Sequence, residues 1–146
     1  MQVEIRLDPA MAEPKVVIFT REMTVEVNEL ARRLSEASPQ LMLGFLNEQA
    51  VVLDQAEIYR VFSLSGKIYA ETDGGAYLLR ARLYELEERL DKSRFVRISN
   101  AEIINLKKVK GFDLSLAGTI CVRLSNGTVT YVSRRYVARI KQVLGI

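Results

Sequence analysis

The 146-residue chain carries 49% hydrophobic and 27% charged residues, one cysteine and no histidine. That balance supports one full domain with a small appended module and excludes a disordered or low-complexity chain. The missing histidine excludes Ser-His-Asp and Cys-His catalysis and His-ligated zinc. The single Cys121 excludes an intrachain disulfide and a thiolate-rich metal site, and fits a reducing cytoplasm.

The net charge of +3 is unevenly spread. Residues 1–91 hold 10 Lys/Arg and 16 Asp/Glu, whereas residues 92–146 hold 11 Lys/Arg and two acids, Glu102 and Asp113. A basic half of this kind points first to nucleic acid; the alternatives are a solvated face balanced by the acidic half across an internal interface, and a protein-interaction or ligand-sensing module whose basic half docks an acidic partner. Apolar stretches such as LMLGFL are far shorter than the roughly 20 residues of a membrane span. The start MQVEIRLD has acids where a secretion signal is basic and then apolar.

In chain order, VEIRL alternates as a half-buried strand does, DPAMAEP is turn-rich, and KVVIF reads as a buried strand. A helix is predicted over TVEVNELARRLSEAS, with Thr24 as N-cap, Glu26 and Glu29 in the favourable first turn, and Val27, Leu30, Ala31 and Leu34 on one face. Pro39 ends it. Residues 1–38 thus form a small β-β-α module, too short for much core of its own and expected to pack on the rest or on a second copy. Short strands follow: AVVL, EIYRVFSL, KIYAET after an SG turn, and AYLLRA after DGG. Leu79, Leu83, Leu86 and Leu90 then read as the core face of a helix. Beyond RFVRISNAEIINLKKVKGFD come TICVRL, with Cys121 as a small buried hydrophobe, and VTYVS. Asn126-Gly127 between them predicts a type I′ turn. A last helix follows Ser133, with Val137, Ile140 and Leu144 inward and Tyr136 and Val143 flanking.

No enzyme signature is present. Gly74-Gly75 is a turn rather than a phosphate cradle, and Glu85, Glu87 and Glu88 point apart on a helix. No catalytic residue, metal or cofactor is expected. Lys110-Gly111-Phe112 opens like an RNA-binding motif, but Asp113, Leu114, Ser115 and Leu116 lack its later stacking aromatics. The basic half is the strongest constellation. It groups Lys92, Arg94 and Arg97; Lys107, Lys108 and Lys110; and Arg134, Arg135, Arg139 and Lys141. Asn100 and Ser133 add short polar groups. Arginine and asparagine read base edges, lysines hold phosphates, and a helix N-terminus offers free N–H groups. Two arginines directly after a helix cap are unfavourable by about 0.3–1 kcal/mol each unless an anion joins them.

FVRISNAEIINLKKV resembles the signature of the LytTR DNA-binding family through Phe95, Arg97, Asn100, Ile103, Ile104, Asn105, Leu106 and Val109. The ending LSNGTVTYVSRRYVARIKQVL is similar to that family's closing hairpin and helix, with Gly127, Val132, Ser133, Arg134 and Arg135 in register. EIYRVFSLSGKIYAETDGGAYLLRARLYELEERL resembles the preceding strands and leucine helix. Ser99, Ala101 and Glu102 depart from the usual His, Ser and aromatic, and Glu102 is expected to turn away from DNA.

The resemblance implies a mainly β (α+β overall) fold: an elongated antiparallel β sandwich with short helices over residues 40–146, preceded by the β-β-α module of residues 1–38. It implies a transcriptional regulator that binds double-stranded DNA at direct-repeat promoter sites, as two copies, through loops and strand ends in the major groove. Asn100 and Arg135 match base-contacting positions. The family's third base-contacting position lies in an early hairpin, where Lys67, Arg60 or neither would match it. Lys92, Arg94, Arg97, Lys107, Lys108, Lys110, Ser133, Arg134, Arg139 and Lys141 are the expected backbone contacts. The N-terminal module is too short for a phosphorylatable receiver, which implies a standalone regulator. Standalone relatives are often paired with a small membrane protein that restrains them, making one an expected partner.

Overall fold

The computed structural model describes residues 1–12, 14–37 and 41–146. The chain divides into two compact units, Met1–Pro39 and Gln40–Ile146. In the first unit the expected helix forms as α1 (Val25–Ala37), capped as its sequence dictates: the Thr24 hydroxyl accepts the Val27 N–H at 3.2 Å. The two expected strands do not form. Residues 3–7 and 15–19 pair with no strand, and Val3, Ile5, Leu7 and Phe19 are 83–95% exposed. Alternation is a necessary condition for a half-buried strand, but a strand exists only when its N–H and C=O groups find a second one.

The second unit is antiparallel throughout. Its strands are β1 (Leu41–Leu46), β2 (Gln49–Asp54), β3 (Arg60–Leu64), β4 (Lys67–Thr72), β5 (Gly75–Leu79), β6 (Phe95–Ser99), β7 (Glu102–Asn105), β8 (Val109–Asp113), β9 (Ile120–Leu124) and β10 (Val129–Val132). The helices are α2 (Leu83–Arg89) and α3 (Arg134–Leu144). Seven strands pair in the order β2-β1-β5-β4-β3-β7-β6, and three in the order β10-β9-β8.

Two apolar cores lie on opposite faces of the larger sheet. Met42, Val61, Ala70, Phe95 and Ile103 pack with Leu79, Leu83, Leu86 and Leu90 in the first. Val96, Ile98 and Ile104 pack with Ile120, Val122, Leu124 and Val132 of the smaller sheet and Ile140 of α3 in the second. The strand period of two sends Phe95 to one core and Val96 to the other, so β6 and β7, although last in strand order, are buried on both faces.

The four leucines are core as expected, but the helix is shorter than their spacing predicts. Leu79 ends β5 and reaches the same core from a strand. Cys121 corrects another expectation: it is only half-buried, because its neighbours Ile120 and Val122 take the inward positions of β9. Strand β1 goes unread by period because it is a continuous apolar run broken by Gly44. A Cβ at Gly44 would lie 2.6 Å from Leu53 Cδ1 and 2.7 Å from Tyr77 Cβ, so only glycine lets the neighbouring side chains close over the backbone there.

Type I′ backbone appears at turns other than the expected one. Asn47 and Glu48 (φ 48° and 68°) join β1 to β2, and Ser65 and Gly66 (φ 52° and 77°) join β3 to β4. At Asn126-Gly127 only the glycine takes positive φ, at 92°. The chain reverses there in a longer loop in which Leu124 N–H donates to Thr128 O and Asn126 Oδ1 accepts the Thr128 N–H.

Candidate nucleic-acid interface

Three segments from different parts of the sequence meet at one end of the larger sheet. Ser63, near the end of β3, donates its N–H to Ala101 O at 2.8 Å, which sets the Ser65-Gly66 hairpin and Lys67 beside the β6–β7 turn. Ser133, preceding α3, donates its N–H to Ile98 O at 2.9 Å. The Tyr136 hydroxyl, on the first turn of α3, donates to Asn100 Oδ1 at 3.2 Å. Lys67, Asn100, Arg134 and Arg135 are all exposed at this end.

The turn that carries Asn100 is held from below. Arg97 donates from Nε to Ser99 O at 3.0 Å and from Nη2 to Asn100 O at 2.8 Å, while its Nη1 pairs with Glu87 of α2 at 2.8 Å. Glu87 also meets Arg139 of α3 at 3.4 Å. Burial pushes the Glu87 carboxyl up, but the two guanidiniums outweigh it and hold the group below its ordinary value, charged and able to tie α2, β6 and α3 together. The Ser99 hydroxyl accepts the Ala101 N–H at 3.1 Å and tightens the reversal. Arg97, expected at a phosphate, has its guanidinium committed to the turn, with 15% side-chain exposure.

Tyr136 was legible only as a residue flanking the apolar stripe. In the structure its ring joins the second core and its hydroxyl orients the Asn100 amide, leaving the NH₂ of that amide for a ligand. Tyr136→Phe is expected to weaken binding to a selected duplex about two- to ten-fold, the worth of one net hydrogen bond, with little change in melting temperature. Fluorescence anisotropy beside a thermal melt checks both.

At α3 the cap position is Ser133, as expected, but its hydroxyl makes no cap hydrogen bond, and the first turn contains no acid. The Tyr136 N–H donates to Ser133 O at 2.9 Å, while the Arg134 and Arg135 N–H groups lie at the open end of the helix beside the two arginine side chains, an arrangement suited to an anion. Gly118, at φ 75°, leaves room for Arg134, whose Nε would lie 3.2 Å from a Cβ there. Ile140 is fully buried, and Val137 and Leu144 pack against the second core, so the helix is anchored along its length. Gly145 closes it in the left-handed region, its N–H and that of Ile146 returning to Gln142 O and Lys141 O.

The other expected phosphate ligands do not all gather here. Lys107 and Lys108 lie past the far end of β7, in a 3-10 turn capped by Asn105 Oδ1, roughly 15 Å along the strand from Asn100 at about 3.3 Å per residue. Arg94 is at that far end too, its carbonyl accepting the Leu106 N–H at 2.7 Å. Lys92 is exposed and pairs with Glu88 at 3.4 Å. Lys108 Nζ sits 4.8 Å from the centre of the Tyr59 ring. Lys110 is exposed on β8, and Lys141 is exposed on α3. Of the two early-hairpin residues, Lys67 is exposed and Arg60 is enclosed. Arg60 pairs with Glu71 at 3.2 Å and with Glu102 at 3.4 Å and stacks on Phe62. Glu102 is buried and accepts the Thr130 hydroxyl at 2.8 Å.

Residues 48–145 match the family model of the LytTr DNA-binding domain. The chain belongs to the LytTR family. A solved LytTr DNA-binding domain from Bacillus cereus superposes with a TM-score of 0.70 at 19% identity, over 73% of this chain and 97% of that one, which shows the fold. Proteins described as uncharacterized HTH-type transcriptional regulators in Staphylococcus aureus strains MSSA476 and NCTC 8325 are 25% identical across 100% of this chain and 99% of their own length. Among the described residues of this LytTR protein the three α-helices are separated by strands, so no helix-turn-helix arises. No described helix is long and apolar enough to cross a membrane. Much of the family signature in this chain is structural: Phe95 and Ile103 fill one core, Ile104 fills the other, and Asn105 is fully buried with its Nδ2 donating to Ile58 O.

Proposed function

We propose that the protein is a sequence-specific transcriptional regulator that binds double-stranded DNA at direct-repeat promoter sites, one copy per repeat. The observation that carries this reading is the convergence of Asn100, Lys67 and the Ser133–Arg135 helix start at one end of a LytTR domain. Asn100 and Arg135 read base edges in the major groove, and Lys67 provides the third contact, since Arg60 is engaged with two carboxylates. Arg134, the Ser133 hydroxyl and the free N–H groups of α3 hold a phosphate between them. Arg139 and Lys141 follow the backbone along the same helix. Arg97 acts by holding the Asn100 turn. The two arginines at the helix start, unfavourable in isolation, become favourable once a phosphate supplies the missing negative charge.

The test is selection from a random duplex pool, followed by binding to the winner across a salt series. The expected result is enrichment of a repeated motif, with log affinity falling linearly in log salt concentration as counterions are released. A pool that stays random, or an affinity indifferent to salt, would overturn the proposal.

A further inference from the structure

The first unit exposes a segment with a particular sequence symmetry. Val3, Ile5 and Leu7 alternate in sequence with charged residues and are 86%, 83% and 93% exposed. The intervening Glu4 and Arg6 lie together, Arg6 Nε 2.9 Å from Glu4 Oε1. Among the described residues this backbone has no strand partner, so its N–H and C=O groups are open to pairing with a strand from another chain. We propose that the segment pairs antiparallel with the same segment of a second copy, centred on Ile5.

In that register Val3 faces Leu7 of the second copy, Ile5 faces its own equivalent, and Glu4 faces Arg6. Each cross-strand pair is then apolar on apolar or acid on base, twice over by the two-fold symmetry. A parallel arrangement in register would set like charges side by side. A one-residue slip would set apolar residues against charged ones. Self-complementarity of this kind favours a second copy over an unrelated partner. DNA is disfavoured as the occupant because residues 1–39 hold seven acids against five bases. The unit lies outside the family-matched residues 48–145 and inside the span shared with the staphylococcal relatives, as expected for an assembly element added to a DNA-binding domain. A joined pair also raises the local concentration of the second domain at the second repeat.

The test uses the full chain without DNA, so it stands or falls apart from the reading of the DNA surface. Sedimentation equilibrium is run at low salt on the parent chain, on Glu4→Arg, on Arg6→Glu, on the double variant and on an equimolar mixture of the two single variants. Each single variant places like charges opposite each other at two sites and is expected to weaken association about ten-fold or more. The double variant and the mixture restore opposite charges and recover association near the parent's. Recovery also shows that the single variants fold. A parent that stays monomeric at micromolar concentration, single variants that associate as the parent does, or a mixture and double variant that fail to recover would each overturn the proposal.

Discussion

Arg135→Ala is expected to lose about 5–150-fold in affinity for a selected duplex, equivalent to about 1–3 kcal/mol, and to lose much less on an unrelated duplex. The asymmetry follows from what the side chain has to work with. Among the described residues Arg135 makes no ion pair or side-chain hydrogen bond, it is exposed, and its backbone is fixed by a helix whose inner face is buried at Ile140. Its backbone is therefore preorganised and its guanidinium unspent in hydrogen bonding, so the full fork is open to a bidentate contact with a guanine edge. Arg134 shares the helix start but runs beside Gly118, which suits a backbone contact. Lys141→Ala, one helical face further on, should weaken all sequences alike and reduce the salt slope by about one. Competition binding with selected and scrambled duplexes separates the two behaviours. Retention of full sequence preference by Arg135→Ala would remove it from base reading.

Arg60→Ala is expected to destabilise the second unit by about 2–4 kcal/mol at neutral pH, with the penalty shrinking on acidification. Arg60 has 20% side-chain exposure and stands between Glu71 and Glu102, whose side chains are 19% and 12% exposed. Glu71 accepts Asn126 Nδ2 at 3.0 Å and the Thr128 hydroxyl at 2.9 Å, and Glu102 accepts the Thr130 hydroxyl, so the cluster fastens the smaller sheet to the larger one. Without Arg60 two carboxylates stay enclosed without their cation, and Glu102 Oε2 is already buried with no hydrogen-bond partner. Burial is the main influence on Glu102 and raises its carboxyl above the ordinary value, against the Thr130 hydroxyl and Arg60. A raised folded-state pKa contributes stability below the unfolded-state value and loses it as pH climbs through the folded-state one. Glu71 is the reverse. Burial raises it, but Asn126, Thr128 and Arg60 together hold it low, so its contribution is present above the unfolded-state value and lost as pH falls through the folded-state one. Arg60 lowers both groups, so its removal raises both. The variant is then penalised most where both carboxylates ionise and least where they take up protons. Urea unfolding of parent and variant at about pH 7 and about pH 5 measures this. A penalty that is constant or grows in acid would contradict it.

These two arginines show how far the sequence could be read and where it stopped. The closing helix was legible because its apolar period and its Ser133 cap position lie within one short stretch. The first-turn arginines stood out against a helix dipole for the same reason. Arg60 and Arg97 looked like two more free cations, because the groups that engage them are remote in sequence. Glu71 and Glu102 lie 11 and 42 residues from Arg60, and Glu87 lies 10 from Arg97. No local period marks such partners. Leu79 was legible as core but fell in two overlapping readings, the strand AYLLRA and the helix face, since its spacing to Leu83 suits a helix equally well. The strands expected in the first unit show the converse case: the sequence alternates, but among the described residues no strand pairs with either segment. Tyr136 combines both difficulties: one apolar face belongs to a helix stripe, and one hydroxyl belongs to a turn 36 residues away.

The central claim is that DNA meets the end of the larger sheet where Lys67, Asn100 and the start of α3 converge, and not the end bearing Lys107 and Lys108. Titration of isotope-labelled protein with a selected duplex, followed by backbone amide resonances, tests it most directly. The predicted result is that the largest shifts cluster at residues 65–67, 99–101 and 133–136. Large shifts confined to residues 92–94 and 106–110, with the Asn100 turn and the α3 start unmoved, would contradict it.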